Sequence, residues 1–491
     1  MSRLAITCFQ FRPEVTTHFS HALTDARKVS VPKNQSTICR DKNAVNMQQK
    51  ADMSVFLKTS STLDFRLNTW LFIQHLFTGH CMHMLIVKAF KYRLEPTNAQ
   101  AQRLRQMCGC ARFIWNYGLA ETQRMLDAGQ KLPTAFALNK MLTAWKGLPE
   151  LAFLSEAYTD NLQQKLKDLH EAWKRCFDKR LAAKKPVFKH KSKGNDSIRF
   201  VNFDKYCQLD RKRVKLPSGL GWVKFRQSRA VVGKIKNATV SQHAGGWYIS
   251  FQVETEVEMP VHPSTSAIGL DAGISKLATL SDGTVFEPVN SFKNNQAKLA
   301  RLQRQLARKV KFSANWKKQK AKISRLHVHI ANIRRDYLHK VTTTISKNHA
   351  MIVIEDLKVS SMSKSAKGTK EKHGRNVNAK SGLNRSILDQ GWYELRRQLE
   401  YKQSWLGGQV LAINPAYTSQ KCACCGHTHK DNRQSQSRFI CITCGYQENA
   451  DINGARNILA AGHAVLACEV NGALMPSAAG TRRLSNQVAT L

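Results

Sequence analysis

The sequence has few acidic residues and lacks the patterns of a membrane or secreted protein. Only 34 Asp and Glu stand against 77 Lys and Arg in 491 residues, so the formal net charge is +43. The most apolar stretch, around Trp70, is interrupted by histidines and does not reach the roughly 18 residues of a membrane span. The 13 cysteines show no regular disulfide spacing outside one C-terminal stretch. We therefore expect no signal peptide and no membrane span, and these absences favour the reducing cytoplasm.

The positive charge is spread along the whole chain and is not gathered on one amphipathic helix. An excess of this size predicts a polyanion partner, most simply nucleic acid, and disfavours a membrane surface. Basic residues are dense over 179–200, where two phenylalanines are interleaved, and again in helical stretches between 292 and 348. So wide a spread favours a large structured RNA held by its backbone and shape. Generic DNA binding by a basic surface is the alternative.

Two Cys-x-x-Cys pairs lie in the C-terminal stretch, with fifteen residues between them. Each pair places two thiolates on one tight turn and is followed by a glycine, which tolerates positive φ. Two such turns facing each other form a tetrahedral four-sulfur site, typical of a zinc ribbon. The predicted ligands are Cys422, Cys425, Cys441 and Cys444. Cys424 is a competing thiol, but the two-residue spacing favours Cys422 with Cys425.

Hydrophobic periodicity divides the N-terminal half into four segments. Residues 1–83 show no sustained period, and we expect them to be a disordered extension. An alternating pattern predicts a strand over 84–96, ended by a proline. Apolar residues at helical spacing predict a basic helical bundle over 97–185. Short strands punctuated by Gly, Pro and Asn then predict a small β-barrel or sheet over 186–262.

The C-terminal half has the pattern of an α/β domain. One apolar strand ends at Asp271, and a later one ends at Glu355. Between them, apolar residues at steps of three and four predict two basic helices packed as an antiparallel hairpin, with a break near Ser313. Asp451 marks a helix start after the second cysteine pair. We expect the chain beyond residue 463 to be disordered.

Asp271, Glu355 and Asp451 are the candidate catalytic residues. Strand ends of an α/β sheet gather catalytic groups, and three carboxylates together repel one another unless cations bridge them. Oxygen ligands with open positions suit Mg²⁺ or Mn²⁺, and two such ions about 3.5–4 Å apart can assist phosphodiester cleavage. Each acid alone has a simpler explanation as a turn residue, a strand end or a helix cap. The adjacent Asp356 competes with Glu355.

Several motifs resemble those of the TnpB (OrfB) proteins of bacterial insertion sequences, which are relatives of type V CRISPR nucleases. The resemblance covers about 84–461 and is most specific in the C-terminal half. The matching motifs are YRLEPT (Tyr92–Thr97), GLDAGI (Gly269–Ile274), IEDLKV (Ile354–Val359), TSQKCACCG (Thr418–Gly426), DNR (Asp431–Arg433), FICITCG (Phe439–Gly445) and NADINGARNIL (Asn449–Leu459). The departures are residues 1–83 and Cys424, and neither affects the acids.

The resemblance implies a multidomain α/β protein. Its parts would be a RuvC-like RNase H fold with an inserted zinc ribbon, and an N-terminal β-barrel with an inserted helical bundle that grips a guide RNA. The three acids match the family's catalytic metal ligands, and the four cysteines match its zinc ligands. The implied domains are the unassigned extension (1–83), the first barrel strand (84–96), the helical domain (97–185), the rest of the barrel (186–262), the nuclease with its basic hairpin (263–418), the ribbon (419–447), the last nuclease segment (448–463) and a disordered tail (464–491).

The function implied by the resemblance is RNA-guided, Mg²⁺-dependent DNA cleavage by a transposon-encoded endonuclease associated with transposition and DNA recombination. Its partners would be a guide RNA and a target DNA, with no membrane, in the bacterial cytoplasm at the nucleoid. Two alternatives are a conventional transposase with a different acidic triad and a nuclease-dead regulator that binds nucleic acid. The ribbon between the second and third acids disfavours the first alternative, and the presence of all three acids disfavours the second.

Overall fold

The computed structural model describes residues 83–181, 183–191, 196–369 and 371–472. The disorder expected over 1–83 falls outside these residues, except at His83, which already belongs to a strand. The disorder expected from residue 464 onward is wrong as far as Gly472, because the last helix continues to that residue. Alanine-rich sequence between 460 and 467 has high helix propensity, which explains the continuation.

A seven-stranded antiparallel sheet forms the first part of the described chain. Its strands are β1 (His83–Glu95), β2 (Ser197–Val201), β3 (Gln208–Asp210), β4 (Arg213–Leu216), β5 (Gly221–Arg226), β6 (Lys234–His243) and β7 (Gly246–Glu258). They pair in the order β2-β6-β7-β1-β5-β4-β3. Alternate side chains along the strands meet in one core, where Phe200 and Phe251 are fully buried. The strand expected at the start of this region is β1, which lies at the centre of the sheet.

Helices are inserted between β1 and β2. They are α1 (Asn98–Asp127), α2 (Ala135–Lys146) and α3 (Thr159–Phe177), with a 3₁₀ segment at Pro149–Glu156. A short helix, α4 (Phe203–Tyr206), follows β2. A capping box starts α1: the Thr97 hydroxyl accepts the Gln100 N–H, and the Gln100 side chain accepts the Thr97 N–H. Because α1 contributes Leu104 to the sheet core and Ile114 to the helical core, it joins the two parts.

The edge strands β2 and β3 are not paired with each other in the described structure. The region implied to be a β-barrel is therefore an open sheet here, and hydrogen bonding does not close it. Closure would require β3, which has three residues, to pair with β2. Helix α1 packs against the core face of the sheet.

A second sheet, of five strands, lies in the C-terminal part. Its strands are β8 (Ala267–Asp271), β9 (Ala278–Leu280), β10 (Val285–Phe286), β11 (Met351–Glu355) and β12 (Gln409–Ile413), in the order β10-β9-β8-β11-β12. Strands β8, β11 and β12 are parallel, and β9 and β10 are antiparallel to their neighbours. Since Leu270 of β8 is in register with Ile354 of β11, the next residues of both strands emerge at one edge.

Helices cover both faces of this sheet. They are α5 (Ser291–Ala307), α6 (Ala314–Asn348), α7 (Val359–Met362), α8 (Val377–Gln390), α9 (Trp392–Leu406) and α10 (Ala450–Gly472). Helices α5 and α6 form the expected hairpin, and the Ser313 hydroxyl accepts the Trp316 N–H at the start of α6. The C-terminal part of α6 packs on the sheet with α9, whereas its outer part contacts α5 in a separate apolar cluster.

Helix α10 covers the opposite face and approaches β8 very closely. A Cβ atom on Gly269 would lie 2.1 Å from the Ala455 carbonyl oxygen, so only glycine permits this contact. Ile458 of α10 packs on Val353 and Ile413 of the sheet. A two-stranded sheet, β13 (Arg438–Ile440) and β14 (Gln447–Asn449), leads directly into α10. In the part of the chain that the structure describes, no helix has the length and apolar character to cross a membrane.

Candidate functional site

Two of the predicted acids lie at one edge of the five-stranded sheet. Asp271 ends β8 and Glu355 ends β11, which are neighbouring parallel strands. Both strands are buried up to the acid, and both acids are partly exposed. Each carboxylate is therefore the first polar group to emerge from the core at this edge.

The third predicted acid, Asp451, is carried to the same edge by α10. It lies in the first turn of the helix, and its N–H donates to the Asn449 side-chain oxygen at 3.0 Å. One turn later, Gly454 lies beside Asp271, since a Cβ atom on Gly454 would stand 3.3 Å from Asp271 Oδ2. The start of α10 thus lies against the end of β8, and the structure brings the three acids together.

Burial and mutual repulsion change the acidity of these groups. The pKa of Asp271 is raised to about 7, first by burial and then by the charges of Glu355 and Asp451, while Arg433 opposes the rise. Burial also raises the pKa of Glu355, and the hydrogen bond from Thr418 opposes that rise. A cation at this edge would relieve the repulsion, so the electrostatics of the three acids fit a bound metal.

Two residues without a role in the sequence analysis contact the acids directly. The Thr418 hydroxyl donates to Glu355 Oε1 at 2.6 Å. Arg433 Nη2 lies 3.4 Å from Asp451 Oδ1. Both residues fall within motifs that carried the resemblance, TSQKCACCG and DNR, and this was the only available signal. A motif does not indicate which carboxylate a flanking residue contacts.

Asp356, the competitor of Glu355, faces a different partner. Its carboxylate accepts a hydrogen bond from Arg396 at 2.6 Å, and its side chain is about half exposed. The charge of Glu355 contributes to the raised pKa of Asp271, and Glu355 ends the strand that pairs with β8. The geometry therefore favours Glu355 over Asp356 as the member of the acidic group.

Among the described residues, the only group of three or more His, Cys, Asp or Glu side chains with all ligand atoms within 4.8 Å of one another consists of four cysteines. The three acids do not meet this limit. One ion could not touch all three carboxylates in this arrangement without side-chain movement.

The four-cysteine group consists of the residues predicted from the sequence. The sulfurs of Cys422 and Cys444 are 3.7 Å apart, and those of Cys425 and Cys441 are 3.6 Å apart. Sulfur atoms 2.3 Å from a central ion at tetrahedral angles would be about 3.8 Å apart, so the spacing fits a four-thiolate zinc site. Cys424 is exposed and lies outside this group.

The two cysteine turns are built alike. In each turn, the N–H of the first cysteine donates to the carbonyl of the residue five positions later. The carbonyl of that cysteine accepts the N–H of the glycine four positions later. These glycines have positive φ angles, so their backbone conformation is one that other residues rarely adopt. The hydrogen bonds are Cys422 N–H to His427 O and Gly426 N–H to Cys422 O in one turn, and Cys441 N–H to Tyr446 O and Gly445 N–H to Cys441 O in the other.

Asn432 joins the two turns. Its side chain is fully buried, and its Nδ2 donates to the carbonyls of Gln420 at 3.0 Å and His427 at 3.1 Å. Its Oδ1 accepts the N–H of Ile442 at 3.0 Å. The adjacent residue is Arg433, which reaches Asp451. The fold of this small region therefore determines where that guanidinium points.

The same region is fastened to α10 by two buried asparagines. Asn453 donates to the Lys421 carbonyl at 2.8 Å and accepts the Ala423 N–H at 2.9 Å. Asn457 donates to the carbonyls of Thr418 at 2.9 Å and Lys421 at 2.6 Å. The first cysteine turn is thus bound to the helix that carries the third acid.

Three family models match this chain. One is described as "Probable transposase" and matches residues 250–366. A second, "Cas12f1-like, TNB domain", matches residues 392–458, which include the four cysteines and Asp451. A third, "Helix-turn-helix domain", matches residues 82–131. In the structure this last range holds β1 followed by the single long helix α1.

Curated relatives match over most of their own length. The protein "Putative RNA-guided DNA endonuclease InsQ" of Escherichia coli (strain K12) is 62% identical over 382 residues, covering 78% of this chain and 94% of the relative. The chain belongs to the TnpB (OrfB) family. Another member, "Putative RNA-guided DNA endonuclease" of Streptomyces pristinaespiralis, is 34% identical over 79% of this chain and 92% of its own. The resemblance drawn from the motifs is confirmed.

Two solved structures match the chain over most of its length. A Cas12f1–sgRNA–target DNA complex covers 76% of this chain and 98% of its own chain, with 12% identity and a TM-score of 0.45. A mini-RNA-guided endonuclease, CRISPR-Cas_phi3, covers 82% and 97% respectively, with 11% identity and a TM-score of 0.43.

Proposed function

We propose that this member of the TnpB family is an RNA-guided DNA endonuclease of a bacterial insertion sequence, associated with transposition and DNA recombination. The observation that carries the proposal is the 62% identity, over 94% of its length, with an E. coli protein named as an RNA-guided DNA endonuclease. The three acids at one sheet edge supply the chemistry that such an activity needs. We place its action in the cytoplasm at the nucleoid, where its DNA substrate lies.

The arrangement of the C-terminal part supports a RuvC-like fold for the nuclease. Two central parallel strands, β8 and β11, end in acids, and a C-terminal helix brings the third acid to the same edge. We further propose that the N-terminal sheet and its inserted helices form the guide-binding barrel domain of the family. Closure of that sheet would accompany binding of the RNA.

Asp271, Glu355 and Asp451 would hold Mg²⁺ or Mn²⁺. When bound, the ions would activate a water and stabilise the oxygen that leaves the phosphorus. Thr418 positions the Glu355 carboxylate by its hydrogen bond. Arg433 holds the Asp451 carboxylate and adds a positive charge at the edge where the scissile phosphate must bind. Hydrolysis would leave one strand end with the phosphate and the other with a hydroxyl.

The four clustered cysteines would bind one structural Zn²⁺. All four positions of a tetrahedral ion would be occupied by thiolates, so this site is closed and does not take part in cleavage. Its contribution is to fold a region that has little apolar core of its own, since only Cys422, Phe439, Cys441 and Ala450 are buried together there.

Alanine substitutions test the assignment of the acids. Replacing Asp271, Glu355 or Asp451 with alanine should in each case lower the rate of Mg²⁺-dependent DNA cleavage by about a thousandfold. That loss is equivalent to roughly 4 kcal/mol in the activation free energy. Binding of nucleic acid should remain, because phosphate contacts elsewhere provide the affinity. The matched control is Asp356→Ala, next to Glu355 in the chain, which should be milder. Wild-type cleavage by Glu355→Ala together with its loss in Asp356→Ala would reverse our choice between these neighbours.

Reprogramming tests RNA guidance itself. RNA that copurifies with the full chain is sequenced, and the part that pairs with DNA is then replaced. The cleavage site should move with the replacement, because base pairing selects the target. Equal cleavage of one fixed DNA sequence after RNase treatment would instead indicate a sequence-specific nuclease or a conventional transposase. Binding without cleavage in every metal would indicate the nuclease-dead regulator.

A further inference from the structure

The outer end of the α5–α6 hairpin carries apolar side chains on an otherwise basic element. In the turn between the helices, Val310 is 79% exposed to solvent and Phe312 is 63% exposed. The Phe312 ring lies against the half-buried Trp316 ring, with centroids 5.5 Å apart. We name Val310, Phe312 and Trp316 the aromatic tip. Apolar side chains that cluster on a surface mark interaction sites more often than isolated ones do.

The charge around the aromatic tip is of one sign. Residues 288–335 contain 14 Lys and Arg and no Asp or Glu. Two of these lysines lie over the rings: Lys311 Nζ is 5.3 Å from the Phe312 centroid, and Lys320 Nζ is 5.1 Å from the Trp316 centroid. A second copy of this basic chain would meet repulsion here, whereas a polyanion that also offers flat apolar surfaces would fit both features.

The backbone holds Phe312 in a conformation that bulky residues avoid. Its φ angle is +70°, in the left-handed region that glycine usually occupies. The following N–H, of Ser313, donates back to the Val310 carbonyl at 3.2 Å, and Ser313 then caps α6. Strained residues of this kind cluster at functional sites. Glycine would relieve the strain but would remove the exposed ring.

The aromatic tip lies far from the acids. Leu338 is the first fully buried residue of α6 in the apolar core of the nuclease sheet, and Ala314 lies about 36 Å from it along the helix axis at 1.5 Å per residue. Between them, buried side chains of α6 pack on α5 in a separate cluster of Leu299, Leu326 and Ile330. The aromatic tip therefore contacts a bound partner at a distance from the scissile phosphate.

We propose that the aromatic tip stacks on unpaired bases of the guide RNA while the neighbouring lysines contact its phosphates. This proposal rests on the proposed function, which supplies the RNA. A structured RNA displays unstacked bases in loops and bulges, and proteins bind such bases on aromatic side chains. The bases of duplex DNA are already stacked inside the helix, so they cannot also stack on the aromatic tip.

The test uses the full chain and two RNA probes with equal numbers of phosphates: a stem-loop with a fluorescent base analogue in its loop, and a blunt duplex. Phe312→Ala should weaken stem-loop binding at least about fivefold and reduce the fluorescence change of the loop base. Duplex affinity should stay the same, as should the salt dependence, because no phosphate contact is lost. Phe312→Tyr keeps an aromatic ring and should bind the stem-loop as tightly as the wild type does. Tyr393→Ala removes an exposed aromatic side chain of α9, which lies outside the proposed guide-binding domain, and should change nothing.

Phe312→Gly separates stacking from folding, since it relaxes the backbone and should still weaken stem-loop binding. Unchanged stem-loop binding in Phe312→Ala and Phe312→Gly would overturn the proposal, and so would an equal loss on the duplex. An equal loss on a DNA stem-loop would overturn the assignment to RNA. Guided cleavage by the wild-type chain is measured in the same preparations. If the wild type cleaves DNA under RNA guidance but the Phe312 variants bind the stem-loop normally, only this proposal is wrong. If the wild type shows no guided cleavage, the proposed function is wrong as well.

Discussion

Replacing Asp271 with asparagine should stabilise the protein in the absence of divalent metal. In the folded protein this carboxyl has a pKa of about 7, whereas its ordinary value is 3.8. Between these pH values the folded state binds more protons than the unfolded state, so the free energy of unfolding falls as the pH rises. The loss is complete above about pH 7, where it amounts to at most about 4 kcal/mol. Asparagine cannot ionise and avoids this loss.

The assay is thermal unfolding of the wild-type and Asp271→Asn proteins in chelator across pH 5–8.5. At the upper end the variant should unfold roughly 5–15 °C higher, and the difference should shrink as the pH falls. Excess Mg²⁺ should then stabilise the wild type, by about 2.7 kcal/mol at a hundred times its Kd, and should have little effect on the variant.

Asp356→Asn is the matched control because this acid is exposed and paired with Arg396, so its replacement should change stability little at any pH. Asp271→Asn that is no more stable than the wild type at pH 8 in chelator would refute the reasoning. A pH-independent difference would do so as well, since the argument depends on the titration of one carboxyl.

Three further substitutions, one of them with a matched control, test the supports of the site. Cys441→Ser should lose zinc and cleavage together, whereas Cys424→Ser should keep both, and full zinc content in Cys441→Ser by metal analysis would contradict the assignment. Asn432→Ala should destabilise the ribbon by about 2–4 kcal/mol, because it leaves buried backbone groups unpaired, and a chelator should then remove zinc faster than from wild type. Gly269→Ala should cost at least about 3 kcal/mol and impair cleavage, because its methyl group would overlap the backbone of α10; a wild-type unfolding temperature would count against this packing.

The parts of the site that the sequence predicted follow from short-range rules. The ends of two buried strands predict where Asp271 and Glu355 emerge, and two spaced cysteine pairs predict the four-sulfur cluster. The break in the helical hairpin at Ser313 also depends on neighbouring residues alone, because a serine directly before a helical stretch caps that helix. Each of these features depends on a few consecutive residues, and the structure places each of them as expected.

The contacts that orient the acids depend on long-range packing. Thr418 is 63 residues from Glu355, and Arg433 is 18 residues from Asp451. No periodicity links such pairs, because their distance is set by how the ribbon sits on α10. The helix that runs on to Gly472 was missed for a different reason: high helix propensity without a clear apolar stripe resembles a weakly patterned tail.

The position of the cysteine region in the chain explains how a metal bound by the four thiolates would affect a reaction in which it takes no part. The sheet fixes the backbone of Asp271 and Glu355, since both end paired strands. The third acid has no strand to fix it. Its helix is held through Asn453 and Asn457, both of which bind the backbone of the first cysteine turn, and its carboxylate is held by Arg433, which follows the buried Asn432. The contacts of Asn453 and Asn457 require a folded first turn, and the position of Arg433 depends on Asn432, which joins the two turns. The four thiolates are the groups that a metal would draw together. Loss of that metal should therefore displace the third acid while leaving the first two in place.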